Sequence, residues 1–130
     1  GISPRGKPWK IAIEQPDGSF GKVHRAVSIG TGAMATSGDY RNFFELDGIR
    51  YSHTINPATG FPVKQEVLSV TVIADSCAVA DAYATAFSVI GPQKAIEVAN
   101  RNKLSVLLLV KDGNGYKEIF NESFNQFRVQ

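Results

Sequence analysis

A single cysteine, Cys77, stands among 130 residues, so no internal disulfide can form and a disulfide-stapled scaffold is excluded. Placed where a helix should begin, that thiol is expected to be buried and inert. No apolar run approaches the roughly 18 to 20 residues that cross a bilayer as a helix. The opening Gly1-Ile2-Ser3-Pro4-Arg5-Gly6 carries no signal-peptide pattern. Runs of like charge are missing as well. Its 14 basic and 12 acidic residues are scattered, with a net charge of +2, which offers no patch for a nucleic acid or a membrane surface. Histidine is scarce: His53 has no second His or Cys near it, which argues against zinc, and His24 has no evident partner in sequence. The chain also lacks a Gly-x-Ser-x-Gly elbow, a Cys-His pairing, the length and lysine of a P-loop, internal repeats and low-complexity segments.

What remains is the composition of a globular domain, 43% hydrophobic and 20% charged, with enough apolar material to bury a core. Gly and Pro punctuate it into short elements within one domain. Trp9 to Glu14 alternates apolar and polar residues, stops at Gln15-Pro16-Asp17-Gly18 and resumes from Val23 to Ile29, a hairpin pattern. A second hairpin joins Phe43 to Leu46 with Ile49 to His53 through Asp47-Gly48, a favoured two-residue connection. The run from Asn56 to Pro62 is too rich in turn formers for either regular element.

Val67 to Ala74 is a near-continuous apolar strand, which implies burial on both faces. From Asp75 or Ser76 as N-cap the period changes: Val79, Ala82, Tyr83, Ala86, Phe87 and Ile90 predict the inner side of a helix closed by Gly91. Pro92 opens another helix to about Asn102, with Ala95, Ile96, Val98 and Ala99 inward. Leu104 to Val110 reads as a buried strand, Asp112 to Gly115 as a turn, Tyr116 to Phe120 as a strand, and Asn121 to Gln130 as a short strand or tail. The order predicts an α+β fold, a mixed and largely antiparallel sheet with helices packed on one face.

Three places could carry chemistry. Asp81 and Thr85 fall one helical turn apart, about 40° around the axis, where a carboxylate and a hydroxyl can share a divalent cation. They equally fit a solvated Asp and a Thr bonding back to the carbonyl four residues earlier. Thr36-Ser37-Gly38-Asp39 fits an anion-binding nest or a plain turn. His53, just before Asn56-Pro57, is a general base or a hydrogen-bonded structural residue. His24 is read as structural.

Taken in order, Thr36-Ser37-Gly38-Asp39-Tyr40-Arg41, Tyr51 to Pro62, Ser69 to Ala74 and Ala80-Asp81-Ala82-Tyr83-Ala84-Thr85-Ala86 resemble the ApbE family of FAD:protein FMN transferases. The resemblance covers nearly the whole chain but only the C-terminal portion of the family's usual length, with the N-terminal part absent. It implies a T-fold-like domain and an Mg²⁺-dependent cleavage of FAD that transfers FMN to a Thr or Ser hydroxyl of a partner flavoprotein, releasing AMP. A FAD pyrophosphatase giving FMN and AMP, and a non-catalytic flavin-nucleotide-binding module, are the alternatives.

Carried over by residue, the resemblance makes Asp81 and Thr85 metal ligands, Ile55 a backbone contact to the flavin nucleotide, and His53 a base near the reacting phosphate. Ser37, Gly38 and Asp39 lie near the ligand. Asp81 and His53 are then the catalytic pair. Ala84 stands where some relatives have a second acidic residue, and Asn56 replaces the commoner Asp before Pro57. The family's usual place implies the periplasmic side of a bacterial inner membrane, often through a lipid anchor not present in this chain. The portion alone is expected to be inactive.

Overall fold

The computed structural model describes residues 1–16, 21–38, 43–64 and 66–129. Its centre is a four-stranded antiparallel sheet in the order β3 (Ala33–Gly38), β7 (Val67–Ala74), β8 (Ser105–Asp112), β9 (Gly115–Phe120). In β7 and β8 both faces are largely buried, and the pleat divides their apolar side chains between two cores. Val70, Val72, Val106, Leu108 and Val110 join Ala80, Ala84, Phe87, Ala95 and Ala99 of helices α1 (Cys77–Ile90) and α2 (Pro92–Arg101). Ile73, Leu107 and Leu109 instead meet Ile13, Val27 and Phe124, from the ribbon of β1 (Ile11–Glu14) with β2 (Val23–Val27) and from a 3-10 helix (Glu122–Phe127). Both helices therefore lie on one face, and the continuous apolar run of β7 follows from cover on both sides.

The chain end differs from the strand or tail that its sequence suggests: Asn121 leads into the 3-10 helix, which buries Phe124. Asn121 itself is buried and does the work of a backbone partner. Its Oδ1 accepts from the Val106 N–H at 3.0 Å, while its Nδ2 donates to the Leu104 carbonyl at 2.8 Å and to Asn100 Oδ1 at 2.9 Å.

A separate three-stranded meander runs β4 (Phe43–Leu46), β5 (Ile49–Asn56), β6 (Phe61–Lys64). Its first turn has φ of 53° at Asp47 and 74° at Gly48, the doubly positive pair that suits a two-residue hairpin. The segment Asn56 to Pro62 is not all turn, because Asn56 pairs with Phe61 and Ile55 with Pro62. The turn proper is 57–60, closed by the Asn56 side chain, whose Oδ1 accepts from the Ala58 N–H at 2.9 Å.

Helix α1 begins after Ser76, whose backbone is extended and whose side chain makes no cap bond. Its buried stripe is Ala80, Ala84 and Phe87, with Tyr83 half-buried. Ala82, Ala86, Val79 and Ile90, expected inside, are exposed. The helix is apolar almost all round, so periodicity leaves its phase open, and the small side chains of Ala80 and Ala84 let it sit down on β3 and β7. Cys77 is likewise exposed, not buried, because it opens the helix on the solvent side.

Candidate active site

The site is organised by which way β3 points its side chains. Ala35 packs into the helix-side core and Met34 into the opposite one. By the same alternation Thr36 turns away from the helices, where its Oγ1 lies 2.8 Å from Oγ1 of Thr71, and Ser37 turns toward α1. There the Ser37 Oγ lies 3.0 Å from Thr85 Oγ1. The pairing of Thr36 with Thr71 and of Ser37 with Val70 fixes that register.

Thr36-Ser37-Gly38 is thus strand, not the turn or nest its composition suggests. In a strand successive N–H groups point to opposite sides and cannot converge on one anion, and Gly38 is not among the positive-φ glycines. Asp39, along with Tyr40 and Arg41, lies outside the described residues.

Asp81 and Thr85 are both exposed on α1, one turn apart as their spacing predicts. The Thr85 hydroxyl meets the Ser37 hydroxyl across the gap to β3, a pair in which either oxygen can donate, rather than bonding back to the Asp81 carbonyl. Its own carbonyl accepts from the Ser88 hydroxyl at 2.7 Å. Among the described residues no group of three or more His, Cys, Asp or Glu converges as a metal site. A carboxylate and a hydroxyl are nonetheless hard oxygen donors, suited to Mg²⁺ when other oxygens complete its shell. The donor set fits a divalent cation shared with a second ligand.

His53 and Ile55 lie on β5, which touches α1. Both are exposed, Ile55 by 51%. Between the two, the strand is irregular: the Thr54 N–H donates to Oγ of the buried Ser52 at 2.8 Å, and the pairing with β6 shifts register between Tyr51 and Ile55. The structure therefore brings Ser37 to Thr85, puts Asp81 one turn along the same helix, and carries His53 and Ile55 on the adjoining strand. The bond between Ser37 and Thr85 joins residues 48 apart in sequence, and no local pattern signals it. His24 has partners too, at Tyr116 and Glu118, on the opposite side of the main sheet and away from α1.

Residues 1–108 match the ApbE family. A FAD:protein FMN transferase of Vibrio cholerae is 46% identical over 127 residues, which are 98% of this chain and 38% of that protein. The FAD:protein FMN transferase of Escherichia coli is 42% identical over 129 residues, 99% of this chain and 37% of that one. Among solved structures, the apo flavinyl transferase ApbE of Pseudomonas stutzeri superposes with a TM-score of 0.82 at 39% identity, over 98% of this chain and 39% of that one. The ApbE protein of Thermotoga maritima gives 0.83 at 34%, over 100% of this chain and 41% of its own. The chain thus spans somewhat over a third of the length of these relatives.

Proposed function

The chain belongs to the ApbE family, and on that premise we propose that it forms the C-terminal portion of a longer enzyme that moves FMN from FAD to a Thr or Ser hydroxyl of a partner flavoprotein. The observation that carries the reading is the hydroxyl pair of Ser37 and Thr85 beside Asp81, set in a chain 46% identical to a FAD:protein FMN transferase.

In this reading Asp81 and Thr85 hold Mg²⁺. The ion supplies Lewis-acid relief of the charge that develops on the FAD phosphates. Ile55 meets the flavin nucleotide through its backbone, and Ser37 and Gly38 line the same ligand. His53 accepts the proton of the acceptor hydroxyl, whose oxygen attacks the FMN-side phosphorus. A new P–O bond joins FMN to the acceptor, the P–O bond to the adenylate breaks, and AMP leaves. Neither Ala84, which is buried in the helix-side core, nor Asn56, which closes the turn after β5, takes part in these steps. From the family resemblance, the whole protein is placed on the periplasmic side of an inner membrane.

The test separates nucleotides from protein after FAD is incubated with acceptor and the protein in its full encoded length, with Mg²⁺ or with EDTA. Transfer yields AMP in solution and FMN on the acceptor, only with the metal. AMP and free FMN in equal amounts mark a pyrophosphatase. FAD left intact beside a competent acceptor marks a binding module.

A further inference from the structure

We propose that Ser37 is a positioning residue for the metal, acting through Thr85; the inference rests on the reading of Asp81 and Thr85 as metal ligands. A threonine hydroxyl has one proton to give and two lone pairs. Bound to a cation through a lone pair, it still has to place that proton. In a helix its ordinary outlet is the carbonyl one turn back, but here the Thr85 hydroxyl meets Ser37 Oγ at 3.0 Å. With Thr85 donating and Ser37 accepting, both lone pairs of Thr85 stay available to a cation. The opposite polarity would occupy one of them. Ser37 thus selects the rotamer and the proton direction that make Thr85 a ligand.

The fold gives Ser37 this place by strand register. Thr36 is tied to Thr71 on the far face of β3, and Ala35 is packed under α1, so the next inward side chain is Ser37. A slip of one residue would set Thr36 or Gly38 against Thr85 and send Ser37 to the wrong face. The contact also fastens the exposed side of α1 to an edge strand of the sheet, at the height of the second ligand rather than the first.

Mn²⁺, a hard divalent ion that stands in for Mg²⁺, gives a readout independent of catalysis. Free Mn²⁺ is followed by electron paramagnetic resonance as it is titrated into the full-length protein, as wild type and as Ser37→Ala, Ser37→Thr, Thr85→Ala and Asp81→Ala. Loss of a partner that orients a metal ligand commonly weakens binding 10- to 100-fold, and we expect about tenfold for Ser37→Ala. Ser37→Thr, which keeps the hydroxyl, should return to within about twofold of wild type. The metal-free melting temperature of Ser37→Ala, recorded alongside, should stay at the wild-type value. Binding by Ser37→Ala equal to wild type, with Thr85→Ala and Asp81→Ala defective, overturns the role of Ser37 and leaves the ligands standing. Wild-type protein that takes up no Mn²⁺, or ligand variants that bind as well as wild type, would overturn the metal site and this inference with it.

Discussion

Nε2 of His24 lies 2.8 Å from Oε2 of Glu118, joining the β1–β2 ribbon to the edge strand of the main sheet. The carboxylate can only accept, so the imidazole donates through Nε2, while Nδ1 faces the Tyr116 hydroxyl at 3.3 Å. Arg25 grips the same carboxylate with two N–H groups, at 3.1 and 2.5 Å, and Arg128 stands 4.0 Å away.

That cluster should register in acid. Burial pushes the Glu118 carboxyl up, but hydrogen bonds from His24 and Arg25, and then their charges, more than offset it and hold its pKa below the ordinary 4.5. A carboxyl depressed in the folded state contributes stability in full above the unfolded value, and that contribution is lost as pH falls through the folded value. Glu118→Gln should therefore cost about 1 to 2 kcal/mol at pH 7, and the gap from wild type should close on acidification below about pH 4.5. Urea unfolding at stepped pH measures it; a gap that persists unchanged to pH 3 would contradict this.

Asn121 makes a second prediction. Removing its side chain takes the side-chain acceptor from the buried Val106 N–H and leaves the Leu104 carbonyl only the Ser123 hydroxyl at 3.3 Å. Asn121→Ala should cost about 1 to 3 kcal/mol by urea unfolding. Asn114→Ala, in the exposed turn between β8 and β9, should stay within about 0.5 kcal/mol.

The facing of α1 makes a third. Ala84 is fully buried and Ala82 is exposed, although an inward Ala82 is what the apolar rhythm suggests. Overpacking a filled core costs about 1 to 3 kcal/mol, so Ala84→Leu should destabilise by that much and Ala82→Leu by under about 0.5. Equal melting temperatures for the two variants would place the buried stripe elsewhere.

Where the sequence is locally determined, it reads correctly. The Asp47-Gly48 hairpin, the two-faced burial of β7 and β8, and the Gly91-Pro92 break between helices each follow from a few adjacent residues. Gly91 takes a φ of 83° and Pro92 then opens α2. The phase of α1 and the strand conformation of Thr36-Ser37-Gly38 depend on partners far along the chain. Ala80 and Ala84 are inward because of what β3 and β7 present, and Ser37 is in a strand because β7 offers it a ladder. The 3-10 helix at Glu122–Phe127 has the same origin, since Phe124 is drawn into a core built by β1, β2 and β8. At the site, the one-turn relation of Asp81 to Thr85 was legible from spacing alone, whereas the contact of Thr85 with Ser37 needed the fold.

Whether FMN reaches a hydroxyl by way of Asp81 is decided by the intact mass of a competent threonine-bearing acceptor peptide, after incubation with FAD, Mg²⁺ and the full-length protein as wild type or Asp81→Ala. Wild type should leave the peptide heavier by one phosphodiester-linked FMN, and the variant should leave it unmodified. An adduct formed equally well by Asp81→Ala would remove Asp81 from the transfer, and a peptide unmodified by wild type would overturn the transferase reading.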